Sequence, residues 1–311
     1  MKVYTDNTAF ADQILPTESR HWFASKSTLK NNIKSLAEYL FRDKSFQESD
    51  INSQLLWKQM FIVESASRSQ YDILIDLSQK NIRLEHGILC LAGRGQDFHG
   101  FRDRHWEAPA GNIYLSAYYS PCQPVENFGA GFMVLTAVSV IDTLDCIPEI
   151  QGKAMIKWVN DIFIDNSKIC GVLAYTQAEG KKVAGVILGI GLNVKTTPEV
   201  KANPFVPKTA SLVDFCPNRE YCSRQYILGK LMESLDNNYR LLINGGYKTL
   251  LERYRQRSLA IGRKVDVCLD VPSPDIKIIA NGRVTGIGDN LELYIEDFDR
   301  PVVRGRLILK N

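Results

Sequence analysis

Three short stretches hold most of the side chains that can do chemistry. Gly93-Arg94-Gly95 follows an apolar run, Gly87-Ile88-Leu89-Cys90-Leu91, that reads as a buried strand. Glycines at such a strand end let backbone amides approach an anion, and a guanidinium adds a fixed charge with forked donors. Arg102, Arg104 and Trp106 follow in the same polar loop, giving two more cations and a flat stacking surface. The second stretch is Lys157-Trp158-Val159-Asn160-Asp161, and Lys168 stands seven residues after Asp161 across a short Asn166-Ser167 turn. A hairpin there projects the Lys168 ammonium back over the strand ends. The third is Gly189-Ile190-Gly191-Leu192-Asn193-Val194. Activating a carboxylic acid on a nucleoside triphosphate brings two anions together. Such a site needs cations at the phosphates and carboxylate, and a metal to neutralise the leaving pyrophosphate.

Each stretch alone also has a plainer reading. Gly-Arg-Gly is equally a solvated glycine turn, Asn160-Asp161 a strand-end turn, and Lys168 an exposed lysine. Gly189 to Val194 lacks the third glycine and the opening helix of a dinucleotide fingerprint. Its glycines suit close approach of backbone or ligand at a strand end, with Asn193 offering an amide to a nucleotide.

The elements that must position these residues run from Met60. Strands are predicted at Met60–Val63, Gly87–Leu91 and around Ile113–Leu115, with a helix over 66–79 between the first two. Gly129 to Leu144 predicts a buried helix, because Val134, Val138 and Ile141 line one face and Phe132 and Leu135 widen it. Strands around 155–158, 169–175 and 183–190 complete a sheet, closed by helices over roughly 224–243 and 247–258. From Gly262 the apolar period becomes two, with Asn281-Gly282 and Asp289-Asn290 as turns, which predicts a small barrel of SH3 type. Residues 1–56 are polar, with one predicted helix capped by Thr28 and carrying Ile33, Leu36, Ala37 and Leu40.

With 311 residues the chain has room for one sizeable α/β domain and a smaller one. A net charge of +3 is too small to imply a polyanion partner. Seven scattered cysteines without a CxxC pair suit reduced thiols in the cytosol better than disulfides or a zinc site. No apolar run approaches the roughly 20 residues that span a bilayer, and no signal core opens the chain. A cytoplasmic protein is expected.

In order and spacing these motifs resemble the biotin protein ligases over residues 61–311. The resemblance implies an α+β fold: a mixed-sheet catalytic domain over 57–260, an SH3-like C-terminal domain over 261–311, and an N-terminal extension, 1–56, of unassigned role. It implies an enzyme that forms biotinyl-AMP from biotin, ATP and Mg2+. The biotin then passes to a lysine of a biotin carboxyl carrier protein or carboxylase domain. Lys168 and Arg94 are the implied catalytic residues. Ser65, Ser67, Cys90, Gly93, Arg94, Lys168 and Gly171 would bind biotin. Gly95, Arg102, Arg104, Trp106, Asn160 and Asn193 would bind the nucleotide, and Asp161 the magnesium carried by it. The loop from Gly93 to Arg104 would order over the adenylate.

The chain departs from the family pattern at several points. Cys90 stands where family members carry glutamine, Gln96 replaces an arginine, Val159 replaces proline, and Asp97–Arg104 is an insertion. These departures leave a lipoate or octanoate ligase, or a ligand-binding relative without catalysis, as alternatives. A homodimer is compatible with the resemblance. DNA binding is not expected, since the segment from Leu29 to Leu36 lacks a preceding helix and wing strands.

Overall fold

The computed structural model describes residues 1–15, 20–25, 29, 31–42, 44–80, 82–270 and 276–310. Among these, eleven strands form one mixed sheet. Its outer part comes from the first fifty residues: β1 (Lys2–Thr5), β2 (Phe23–Ala24) and β3 (Gln47–Asp50), with α1 (Thr8–Ile14) and α2 (Asn31–Phe41) between them. Only α2 was legible in the sequence; its expected cap, Thr28, lies outside the described residues, while Ile33, Leu36 and Ala37 are buried as expected. β1 pairs in parallel with β4 (Gln59–Ala66), so the extension continues the sheet.

From β4 the chain crosses through α3 (Gln70–Gln79) to a parallel neighbour, β5 (Ile88–Gly95), and then to antiparallel β6 (Ile113–Tyr119). The long α4 (Phe128–Asp145) follows. It is long and apolar enough to span a membrane, but most of it is buried beneath the sheet. The far side of the sheet is a meander: β7 (Met155–Lys157), β8 (Asp161–Ile164), β9 (Ser167–Glu179) and β10 (Lys182–Leu192). The β8–β9 turn falls at Asp165-Asn166, both at positive φ, one residue earlier than expected, and Ser167 opens the strand. β10 also pairs antiparallel with β6, and short β11 (Lys208–Thr209) joins β9. Helices α4, α5 (Arg224–Ile243) and α6 (Tyr247–Gln256) cover one face, where Leu89, Leu91, Leu115, Leu188 and Ile190 meet Val134, Val138 and Leu231. On the other face α2 and α3 cover only part of the sheet. Cys90, Ala92, Tyr114 and Ile187 point that way.

The C-terminal segment forms a separate four-stranded antiparallel sheet, ordered β14-β13-β12-β15, as the expected SH3-like unit requires. Its strands are β12 (Lys264–Cys268), β13 (Ile278–Ile287), β14 (Leu293–Ile295) and β15 (Arg306–Leu309). Asp289-Asn290 turns as expected, but Asn281-Gly282 lies inside β13. Gly282 has φ +146°, and a Cβ there would lie 2.7 Å from Ile295 Cγ2. Glycine at this place therefore permits the close passage of β14. This sheet is tied to the larger one by Trp158 Nε1, which donates to Leu291 O at 2.6 Å, and by Arg255, which donates to Ile287 O at 2.8 Å.

Candidate active site

The part of the sheet that α2 and α3 leave uncovered floors a cavity of about 310 Å3. Its floor is β9 and β10, whose register sets Gly171 opposite Gly191 and Leu173 opposite Gly189. The glycines make room for rings. A Cβ on Gly191 would sit 2.7 Å from Trp106, one on Gly171 3.0 Å from the same ring, and one on Gly189 3.0 Å from Tyr71. Trp106 and Tyr71 thus stand side by side, two β10 residues or roughly 7 Å apart.

Lys168 reaches over this floor from the second residue of β9. Its ammonium lies 2.6 Å from Asp161 Oδ1 and 5.1 Å from the Trp106 ring centroid. Its side chain is 16% exposed, so the lysine is mostly enclosed and not a free surface group. Asn160 is held by a bond from Nδ2 to Val172 O at 2.9 Å, and Asn193 by a bond from Nδ2 to Ala210 O at 3.0 Å. These anchors fix both amides at the strand ends. Asn193 Oδ1 and Trp106 Nε1 are buried without a partner, and both residues line the cavity. Buried polar atoms left unpaired cost free energy, and a ligand that pairs them recovers it.

Cations crowd the same end. Arg104 lines the cavity, as does Arg306 from β15, whose guanidinium lies 3.7 Å above the Phe205 ring. Burial, with Arg104 nearby, lowers the Arg306 pKa. Lys157 is buried and donates to Phe205 O; desolvation pulls its pKa down to about 8 despite Asp161. Among the described residues no three carboxylate, histidine or cysteine side chains gather to hold a metal. Asp161, paired with Lys168, lines the cavity, while Asp270 pairs with Arg104 beside it.

Of the expected site residues, Arg104, Trp106, Asn160, Asp161, Lys168, Gly171 and Asn193 line one cavity. The others do not. Ser65, Ser67, Arg94 and Arg102 are exposed. Cys90 is fully buried in the core face beneath, and burial pushes its thiol pKa well up. The positions of Gly93 and Gly95 are explained by packing, since a Cβ would meet Phe10 of α1 at 2.4 Å or Phe98 at 2.3 Å. The inserted loop folds back on itself, with Trp106 N donating to Phe98 O at 2.9 Å. It is held at both ends: His99 Nε2 lies 2.7 Å from Asp72 Oδ1 on α3, while Arg102 donates to Asp270 O at 2.9 Å. Arg104 lies 3.4 Å from Asp270 Oδ1.

Sequence reasoning missed Ser69, Gln70, Tyr71, Ser116 and Arg306, all of which line the cavity. The helix start is the reason for the first three. Ser69 caps α3 by accepting from Tyr71 N at 3.2 Å, four residues after Ser65, so the first turn of the helix faces the cavity.

Residues 66–193 match the model of the biotin/lipoate A/B protein ligase family. It is 27% identical over 199 residues to the bifunctional ligase/repressor BirA of Bacillus spizizenii, a match covering 62% of this chain and 60% of the relative. This chain therefore spans about three-fifths of that relative's length. It is 29% identical to the biotin–[acetyl-CoA-carboxylase] ligase of Mycobacterium tuberculosis, covering 72% of this chain and 80% of that one. Its fold is that of the Aquifex aeolicus biotin protein ligase solved with biotin and ATP. That structure aligns over 82% of this chain and 99% of its own at a TM-score of 0.60 and 20% identity.

Proposed function

We propose that this chain is a cytosolic ATP-dependent biotin protein ligase, with a lysine of a biotin carboxyl carrier domain as acceptor. The carrying observation is the enclosed Lys168–Asp161 pair over Trp106, set in a cavity built largely from the family-matched residues, with Arg104 and Arg306 gathered at the same end. In this reading 57–260 is the catalytic unit, 261–311 supplies Arg306 and the anchor for the loop, and 1–56 braces the sheet edge.

In the first step the carboxylate oxygen of biotin attacks the α-phosphorus of ATP, the bond to the bridging oxygen breaks, and pyrophosphate leaves. Lys168 sits between the two reacting anions and offsets charge that grows in the transition state. Arg104 and Arg306 receive the phosphates. Trp106 and Asn193 offer a donor and an acceptor that have no partner without ligand. Magnesium would arrive on the triphosphate with Asp161 as its protein carboxylate, and when bound it would help neutralise the pyrophosphate. In the second step a neutral acceptor lysine attacks the acyl carbon and AMP leaves. The inserted loop excludes water from the mixed anhydride meanwhile.

The test is acid-dependent pyrophosphate release with ATP and magnesium, comparing biotin, lipoate and octanoate. Biotin-dependent release followed by transfer to a carrier domain is expected. Release with octanoate alone would make it the sister ligase of the same chemistry, and no release with any acid would make it a ligand-binding relative.

A further inference from the structure

Gln70 is the first residue of α3 and lines the cavity at the Tyr71 end, away from Asn193. Its side chain is only 2% exposed, and its Nε2 is buried with no hydrogen-bond partner. The polar groups beside it on the helix are already committed. Ser69 Oγ accepts from Tyr71 N at 3.2 Å, and Asp72 Oδ1 holds His99 at 2.7 Å. An amide placed this way without a protein acceptor is matched to an acceptor on a ligand. The nearby core face offers Cys90, a thiol that is a weak donor and fully buried.

We infer that Gln70 is a specificity-determining residue of this cavity, donating through Nε2 to a carbonyl oxygen at the end of the acid far from its carboxylate. The inference rests on the ligase reading above and selects a cyclic urea over a straight acyl chain. A methylene chain cannot pair the amide, so the cavity discriminates against it by leaving that donor unmatched.

The experiment is calorimetric titration of the full chain and of Gln70→Met and Gln70→Glu with biotin, 2-iminobiotin and octanoate. Met keeps length and removes the donor. Glu keeps shape and, when ionised, removes the donor, with the helix N-terminus offsetting part of the cost of burying its charge. Both variants should lose about 10- to 100-fold in biotin affinity, the effect of one unmatched buried hydrogen bond. Their preference for biotin over 2-iminobiotin, which lacks the carbonyl oxygen, should shrink by a similar factor, and octanoate binding should hold or tighten in Gln70→Met. A merely structural residue would weaken all three ligands together. Biotin affinity within twofold of wild type in either folded variant overturns the inference, as does a wild type that binds octanoate and not biotin. Failure of the ligase reading has a different signature, namely no pyrophosphate release by the wild type with any acid.

Discussion

The β8–β10 meander and the crossover from β4 to β5 both carry residues expected to hold ligand, but they carry them differently. On the meander Asn160, Asp161, Lys168, Gly171 and Asn193 converge on one cavity, each on or beside a strand that pairs antiparallel with the strand next to it in sequence. On the crossover Ser65, Ser67 and Arg94 are exposed, and Cys90 is buried below. The first region has its charges in place before any ligand arrives, as an adenylating site requires for preorganised stabilisation. The second ends in a loop that, in the proposed reading, orders over the acyl-adenylate. Chemistry is therefore expected to fail when the meander is changed, and retention of the intermediate when the crossover is changed.

The largest effect should come from Lys168→Ala. Removing one preorganised charge from the reacting centre typically costs on the order of 100-fold or more in rate. Biotin-dependent pyrophosphate release should fall by that much, and the thermal midpoint should drop as well, because the pair is mostly enclosed and Asp161 loses its partner. Near-normal release from a folded Lys168→Ala protein would show that the meander does not hold the chemistry.

Gly191→Ala tests the same region through packing. The new Cβ would meet Trp106 at 2.7 Å, and an indole cannot yield as a flexible chain end does. Trp106 must move off the floor, taking with it the surface beneath the Lys168 ammonium. A roughly tenfold loss of kcat/KM for ATP is expected, the size of about one lost contact of 1–2 kcal/mol. Unchanged kinetics would mean that the ring has no part in the site.

The difference between the regions also explains what the sequence revealed. The meander was legible because its strands are apolar, adjacent and joined by short turns, so spacing along the chain translates into proximity in space. The outer strands were not. β1, β2 and β3 are two to four residues long and mostly polar, as in Gln47-Glu48-Ser49-Asp50, and carry no period to read. Their placement depends on pairing with β4, which is a tertiary fact. The helix expected over 66–79 begins only at Gln70, after its cap Ser69, so Ser65 and Ser67, which the resemblance marked, fall before its first turn. Arg306 was invisible for another reason: nothing local marks an arginine in β15 as facing a cavity built more than a hundred residues earlier.

On the crossover, Arg94→Gly should reduce pyrophosphate release only a few-fold, since the guanidinium is exposed and outside the ligand-free cavity. Its signature should be escape of biotinyl-AMP, seen as biotin on lysines of an unrelated bystander protein. Hydrogen exchange at residues 93–100 should slow on adding biotin and ATP in the wild type and not in the variant. Exchange that is equally slow with and without ligand would make this region as preorganised as the meander and remove the contrast.

The smallest effect concerns Lys157, the buried cation at the start of the Lys-Trp-Val-Asn-Asp stretch. Burial lowers its pKa in the folded protein to about 8, whereas an unfolded lysine titrates near 10.4. Below pH 8 both states carry the proton, and the fold bears the cost of enclosing the charge. Between about pH 8 and 10.4 the folded protein sheds the proton while the unfolded chain keeps it. The unfolded state then binds more protons, and stability from this group rises with pH. The buried tyrosines act in the opposite sense, since Tyr4, for example, is raised to about 12 and favours the fold less once unfolded tyrosines ionise near pH 10. The window for Lys157 is thus about pH 8 to 10. In thermal melts across that range the wild type should gain a few degrees relative to Lys157→Met, which lacks the titrating group. A constant difference between the two proteins would mean that Lys157 keeps an ordinary pKa, held charged by Asp161 even without ligand, and that this corner of the meander is more solvated than its burial indicates.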